Sequence, residues 1–148
     1  MDTKEQKVTL PETGLTTRWY TFSGDGAVGA EQPVFLALHM LGLGGASFAS
    51  LARHLPAGAV LHSYDQRGHG AAAGQAPGRF GDFVEDARAA LARIGADRVH
   101  LIGCSMGGSV ASELAASEDS GRIASLSLVA TPLKGRPVFA ARASATRV

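Results

Sequence analysis

The stretch GCSMGG, Gly103 to Gly108, follows the apolar run RVHLI and precedes SVASELAA, which has the composition of a helix start. A serine hydroxyl is a weak nucleophile. A sharp strand-to-helix turn helps it by lifting its oxygen clear of a sheet and placing the next N–H groups at a helix N-terminus. Such a turn crowds the backbone, so the positions two before and two after the serine must be nearly free of side chain. Gly103 and Gly107 meet that need around Ser105, and Gly108 leaves room for the helix to approach. The pattern G-x-S-x-G is weak alone and strong between a buried strand and a helix. The plainer alternative is a glycine-rich turn that only tightens strand–helix packing. Cys104 is the other nucleophilic atom here, but an elbow centred on it would need glycine where Ile102 stands, so it reads as a small buried residue.

The elements around this turn alternate. Strands are expected over 16–22 (TTRWYTF), 33–39 (PVFLALH), 59–65 (AVLHSYD), 98–104 (RVHLIGC) and 122–131 (RIASLSLVAT), the last again fully apolar. Helices are expected over 47–55, with Phe48, Leu51, Ala52 and Leu55 at helical spacing, over 79–95, and after Ser105. The segment 79–95 is the firmest helix: Phe80, Phe83, Val84, Ala87, Leu91 and Ile94 form one stripe, acids sit in its first turn, and Gly95 follows as a stop. Strand alternating with helix gives an α/β class, a mostly parallel sheet flanked by helices, because each parallel crossover needs a helix to return the chain. Ligands in such sheets bind beyond the carboxyl ends of the strands. The loops after His39 and after Asp65 therefore gather with the loop that holds Ser105.

At 148 residues, 45% hydrophobic and 18% charged, the chain fits one soluble domain with a real core. We divide it into a core over 1–132 and a tail of unclear structure over 133–148. The net charge of +1 shows no basic cluster for nucleic acid. The charged N-terminus lacks a signal-peptide core and no apolar run is long enough for a membrane span, so the expected location is cytoplasmic. A single cysteine agrees with a reducing compartment. No His, Cys or carboxylate pair has metal-ligand spacing, and neither a metal nor a cofactor is expected.

HMLG after the strand at 33–39, YDQRGHG after the next and GCSMGG after the next, in this order and spacing, resemble the α/β-hydrolase fold family. Within it the chain is similar to small esterases and lactonases of the 3-oxoadipate enol-lactonase and haloperoxidase-like type. The resemblance runs from about Val8 to Pro132. It implies hydrolysis of a small carboxylic ester or lactone through an acyl-serine. Ser105 would be the nucleophile, and the backbone N–H groups of Met106 and Leu41 would form the oxyanion hole, with Gly42 in the same loop. His39 would hold that loop, which departs from the family's frequent His-Gly by having Met40. Asp65, Arg67 and His69 would form a scaffold loop beside the site.

In this family an acid and then a histidine follow the serine. Here the five histidines, His39, His54, His62, His69 and His100, all precede Ser105, and no Asp or Glu follows Asp119. We expect the chain to hold the N-terminal part of the fold. The competing expectations are a second chain that supplies the missing groups, or His69 standing in as base. A non-catalytic remnant or interaction module is the alternative function. A second rival is a dinucleotide-binding oxidoreductase, since GLGGAS (42–47) lies between a strand and a helix with Asp65 about 20 residues on. Finally, IASLSLVA is expected at a sheet edge where self-association is possible.

Overall fold

The computed structural model describes residues 1–24, 32–76 and 78–132. The expected tail at 133–148 lies outside the described residues. The first two strands, β1 (Asp2–Leu10) and β2 (Leu15–Ser23), form an antiparallel hairpin whose register runs from Asp2↔Ser23 to Leu10↔Leu15. Its turn closes with the Gly14 N–H on the Leu10 carbonyl at 2.8 Å, and Gly14 takes the left-handed φ of 71° that this turn requires. Sequence reasoning did not find β1. Its first six residues include Asp2, Lys4, Glu5 and Lys7, and only Val8 and Leu10 are buried, so little apolar alternation marks it.

The other strands are β3 (Val34–Leu38), β4 (Val60–Tyr64), β5 (Val99–Cys104) and β6 (Ile123–Val129). One sheet contains all six in the order β1-β2-β4-β3-β5-β6. The pairs β3–β4, β3–β5 and β5–β6 are parallel, and β2 pairs antiparallel with β4. The α/β class and the mostly parallel sheet expected from the alternation are thus present.

Helices α2 (Phe80–Ile94) and α3 (Met106–Ser117) cover one face. There Leu36, Leu38, Val99 and Leu101 of the sheet meet Val84, Ala87, Leu91, Val110, Ala111 and Leu114 of the helices. The start of α2 is capped by Asp82, which accepts the Arg79 N–H at 2.6 Å, and Gly95 stops it at φ 70°. No helix among the described residues is long and apolar enough to cross a membrane.

Among the described residues, the opposite face is covered by much less. The helix expected over 47–55 is a 3-10 turn, Gly45–Phe48, followed by the single turn α1 (Ala49–Ala52). Phe48 and Ala52 are buried against Tyr20, Phe22, Ala37, Leu61 and Ile102, whereas Leu51 is exposed. After Ala52 the bonds tighten to the i→i+3 kind, Arg53 N–H to the Ser50 carbonyl and His54 N–H to the Leu51 carbonyl. Pro56 then disfavours a helical Leu55, which is why the apolar spacing overstated the helix. Strand β6 also differs from its reading as fully apolar. Leu126 and Leu128 are half-buried under the helices, and Ser125 and Ser127 face solvent.

Candidate active site

Strand β5 ends at Cys104 and α3 begins at Met106, so the chain reverses over one residue, Ser105. Ser105 has φ 49° and ψ −114°, a left-handed backbone that side chains other than glycine rarely adopt. Among the described residues the other non-glycine with positive φ is Ala130, at 48°, and it lies in the same corner. The Ser105 N–H donates to the Val129 carbonyl at the end of β6 (2.9 Å), and the Thr131 hydroxyl donates to the same carbonyl (3.2 Å). The end of β6 therefore clamps the turn. The Ser105 carbonyl accepts from the Gly108 and Ser109 N–H groups at 2.9 and 3.1 Å and starts the helix.

The glycines leave no room for a side chain. A Cβ on Gly103 would lie 2.5 Å from the Gly108 Cα and 2.8 Å from the Gly107 carbonyl oxygen. A Cβ on Gly107 would run into the Leu38 and His39 carbonyls, and one on Gly108 into the Thr131 side chain. The Gly107 contact has a second consequence: it sets the first turn of α3 beside the loop that leaves β3. Met106 opens α3, so its N–H has no carbonyl four residues back in the helix to bond. Leu41, expected to supply the second donor, lies in that adjacent loop and is 72% exposed. Gly42 turns the loop at φ 80°, and the Leu43 N–H closes it on the Met40 carbonyl at 3.3 Å.

His39 is fully buried and holds this loop. Its Nε2 accepts the Gln66 N–H at 2.9 Å, which leaves the ring proton on Nδ1 to donate to the Met40 carbonyl at 2.8 Å. Burial lowers its pKa, so the ring stays neutral. The Gln66 partner, which sequence reasoning missed, also donates its side-chain amide to the His39 carbonyl at 2.7 Å.

Asp65 is an internal brace. Its carboxylate accepts the Gly45 N–H and the Ala71 N–H, both at 2.8 Å, and the Tyr20 hydroxyl at 3.4 Å. A Cβ on Gly44 would come within 2.7 Å of it. Gly44 is thus small so that the GLGGAS loop can wrap Asp65, which is 3% exposed and not offered to a ribose, whereas a Cβ on Gly45 would meet the Tyr20 ring. That arrangement is a correction to the dinucleotide reading. Arg67 leaves the same loop to make a bidentate pair with buried Asp86 of α2, both bonds at 2.9 Å.

None of the histidines is hydrogen-bonded to Ser105. His62 takes Trp19 Nε1 and the Thr21 hydroxyl as partners, both at 3.2 Å, and His100 pairs with the Ser125 hydroxyl at 2.8 Å. His54 is exposed beyond α1. His69 lies at the strand carboxyl ends, edge-on to the His39 ring at 5.1 Å, with Nδ1 on the Arg67 carbonyl at 3.0 Å. Cys104 is half-buried, and burial pushes its thiol pKa up, which disfavours the thiolate.

The chain belongs to the alpha/beta hydrolase fold family, whose model matches residues 33–143. No curated protein matches the sequence significantly. Among solved structures it is similar to a membrane phospholipase A described as a bacterial virulence factor (26% identity, TM-score 0.69, 87% of this chain and 40% of that one). An alpha/beta hydrolase from Novosphingobium aromaticivorans is also similar (26%, TM-score 0.67, 85% and 43%). So is the bottromycin epimerase BotH, solved in complex with bottromycin A2 (28%, TM-score 0.62, 86% and 48%). The chain thus spans less than half the length of each of these structures.

Proposed function

We propose that this chain carries the nucleophile and the oxyanion donors of a serine hydrolase that cleaves a small carboxylic ester or lactone. The observation that carries this reading is the Ser105 backbone at φ 49°, ψ −114°, held at the end of β5 by a clamp from β6 and by glycines that nothing larger replaces. Ser105 Oγ attacks the carbonyl carbon and gives its proton to a base. The oxygen of the tetrahedral intermediate takes two hydrogen bonds, from the Met106 and Leu41 N–H groups, where losing one donor costs about 2.7–4 kcal/mol of transition-state stabilisation. The C–O bond to the leaving alcohol then breaks, and that oxygen takes up the proton. In a lactone the alcohol stays tethered to the acyl group. Water attacks the acyl-Ser105 ester, releases the acid and restores the hydroxyl.

Among the described residues, no candidate base is bonded to Ser105. His69 is the best placed of the five histidines, but its ring is tied to the Arg67 carbonyl and packed on His39. That observation favours a second reading, in which the elbow persists as architecture and the chain has another role. The fold admits one, since a similar structure is named an epimerase.

Covalent labelling by a fluorophosphonate, read by intact mass, separates the two readings. The hydrolase reading expects one adduct that disappears in Ser105→Ala and persists in His69→Ala. A chain that is folded by circular dichroism and stays unlabelled overturns it.

A further inference from the structure

Among the described residues, two that are not glycine take a left-handed backbone, Ser105 at φ 49° and Ala130 at φ 48°. Strand pairing brings them together, because Cys104 at the end of β5 lies opposite Val129 at the end of β6. One atom then joins them. The Val129 carbonyl oxygen accepts the Ser105 N–H at 2.9 Å and the Thr131 hydroxyl at 3.2 Å. A carbonyl has two lone pairs, so it serves both donors at once. An extended Ala130 would carry Thr131 onward along the strand, away from that carbonyl; the left-handed Ala130 turns it back.

Thr131 also reaches the other side of the elbow. A Cβ placed on Gly108 would come within 2.7 Å of the Thr131 Cγ2 and 2.8 Å of its Cβ, so this side chain lies against the first turn of α3. Gly108 is the residue whose N–H donates to the Ser105 carbonyl at 2.9 Å. The two peptide groups that flank the Ser105 Cα are therefore each held by a bond that ends at a group Thr131 touches. One bond fixes the rotation about N–Cα and the other the rotation about Cα–C. Together they set the direction in which the Ser105 side chain leaves the backbone.

We propose that Thr131 is a positioning residue for the Ser105 nucleophile, delivered by the left-handed Ala130 and acting through the Val129 carbonyl and Gly108. Its hydroxyl stops that carbonyl from swinging away from the Ser105 N–H, and its side chain keeps Gly108 seated against the Ser105 carbonyl. Strained backbone persists where the surrounding structure over-determines it. The strain at Ala130 then has the same purpose as the strain at Ser105, since the first supports the second. The effect on the nucleophile rests on the hydrolase reading of Ser105, whereas the hold on its backbone does not.

The test compares two rates in the full 148-residue chain, in Thr131→Val and in Thr131→Ser. Valine keeps the branched shape against Gly108 and loses the donor; serine keeps the donor. The first rate is hydrogen exchange of the Ser105 amide, read by NMR. Thr131→Val is expected to speed it about tenfold, as loss of one local hydrogen bond would, and to leave the Leu101 and Leu91 amides of β5 and α2 within about twofold. Thr131→Ser is expected to recover most of the protection. The second rate is fluorophosphonate labelling of Ser105, expected to slow about tenfold in Thr131→Val and to recover in Thr131→Ser. Equal Ser105 exchange in wild type and Thr131→Val overturns the proposal. So does an acceleration shared evenly by Ser105, Leu101 and Leu91, which marks a general loss of stability, and so does labelling that is as fast in Thr131→Val as in wild type. A wild-type chain that stays unlabelled removes the hydrolase reading, and the exchange rates alone then decide whether Thr131 sets the Ser105 backbone.

Discussion

Gln66 holds His39 from both ends, its backbone N–H on the ring nitrogen Nε2 at 2.9 Å and its side-chain amide on the His39 carbonyl at 2.7 Å. A protonated ring would put two hydrogens face to face at the first of these bonds. The fold therefore selects neutral His39, in line with its lowered pKa. His62 has the same sign for a related reason: burial first, and then the nearby Arg93 charge, lower its pKa from 6.5 to about 4.

Both groups bind a proton more readily unfolded than folded, so their contribution to stability is complete above the unfolded pKa and is lost as pH falls. We expect urea denaturation midpoints to drop between pH 6.5 and about 4. The His62 part is expected to be about 2–3 kcal/mol. A His62→Gln chain should start less stable at neutral pH and lose less on acidification. Parallel pH curves for the two chains would reject the assignment.

The strain at Ser105 gives a second outcome. Glycine takes a left-handed φ without the steric cost that serine bears at 49°. Ser105→Gly is therefore expected to raise stability by about 1 kcal/mol while removing any covalent labelling. Chemical denaturation measures the gain, and a loss of stability would mean that the turn is not strained.

Two glycine-to-alanine changes should have opposite signs. At Gly107 the new methyl group would meet the Leu38 and His39 carbonyls, which are backbone atoms and cannot step aside. We expect a loss of about 3 kcal/mol or a failure to fold. At Gly81, inside α2, nothing lies within 4 Å of the added Cβ, and alanine should stabilise the helix by about 0.5–1 kcal/mol. Thermal melts of the two variants side by side decide the point.

Asp86 is 1% exposed and takes both bonds of the Arg67 fork. Asp86→Ala strands that guanidinium, whose side chain is 16% exposed, and we expect a cost of about 3 kcal/mol. Arg67→Lys should cost a smaller amount, because an ammonium keeps the charge but cannot make the paired contact. Equal stability of Arg67→Lys and wild type would argue against a role for the fork.

What could be read from the chain alone follows the range of the interactions. The turn at Ser105 was legible because Gly103, Gly107 and Gly108 act within a few residues of it. The α2 boundaries were legible from its apolar stripe and Gly95. The clamp on the turn was not, because Val129 and Thr131 are distant in sequence and look like the end of an ordinary strand. Gln66 was hidden for the same reason, a polar residue in a polar loop whose partner, His39, lies on another strand. The short α1 shows the converse failure, where helical spacing at Phe48, Leu51, Ala52 and Leu55 was present but the fold used only Phe48 and Ala52 as deeply buried contacts.

The bond from Ser105 to Val129 also makes the turn depend on a strand that is synthesised after it. A chain leaving the ribosome presents β5 and the first turn of α3 before β6 has emerged. Until residue 129 arrives, the serine N–H has no carbonyl from β6 to hold it, and a relaxed backbone at Ser105 costs nothing. A chain halted before residue 129 would lack the carbonyl that accepts the Ser105 N–H in the folded protein.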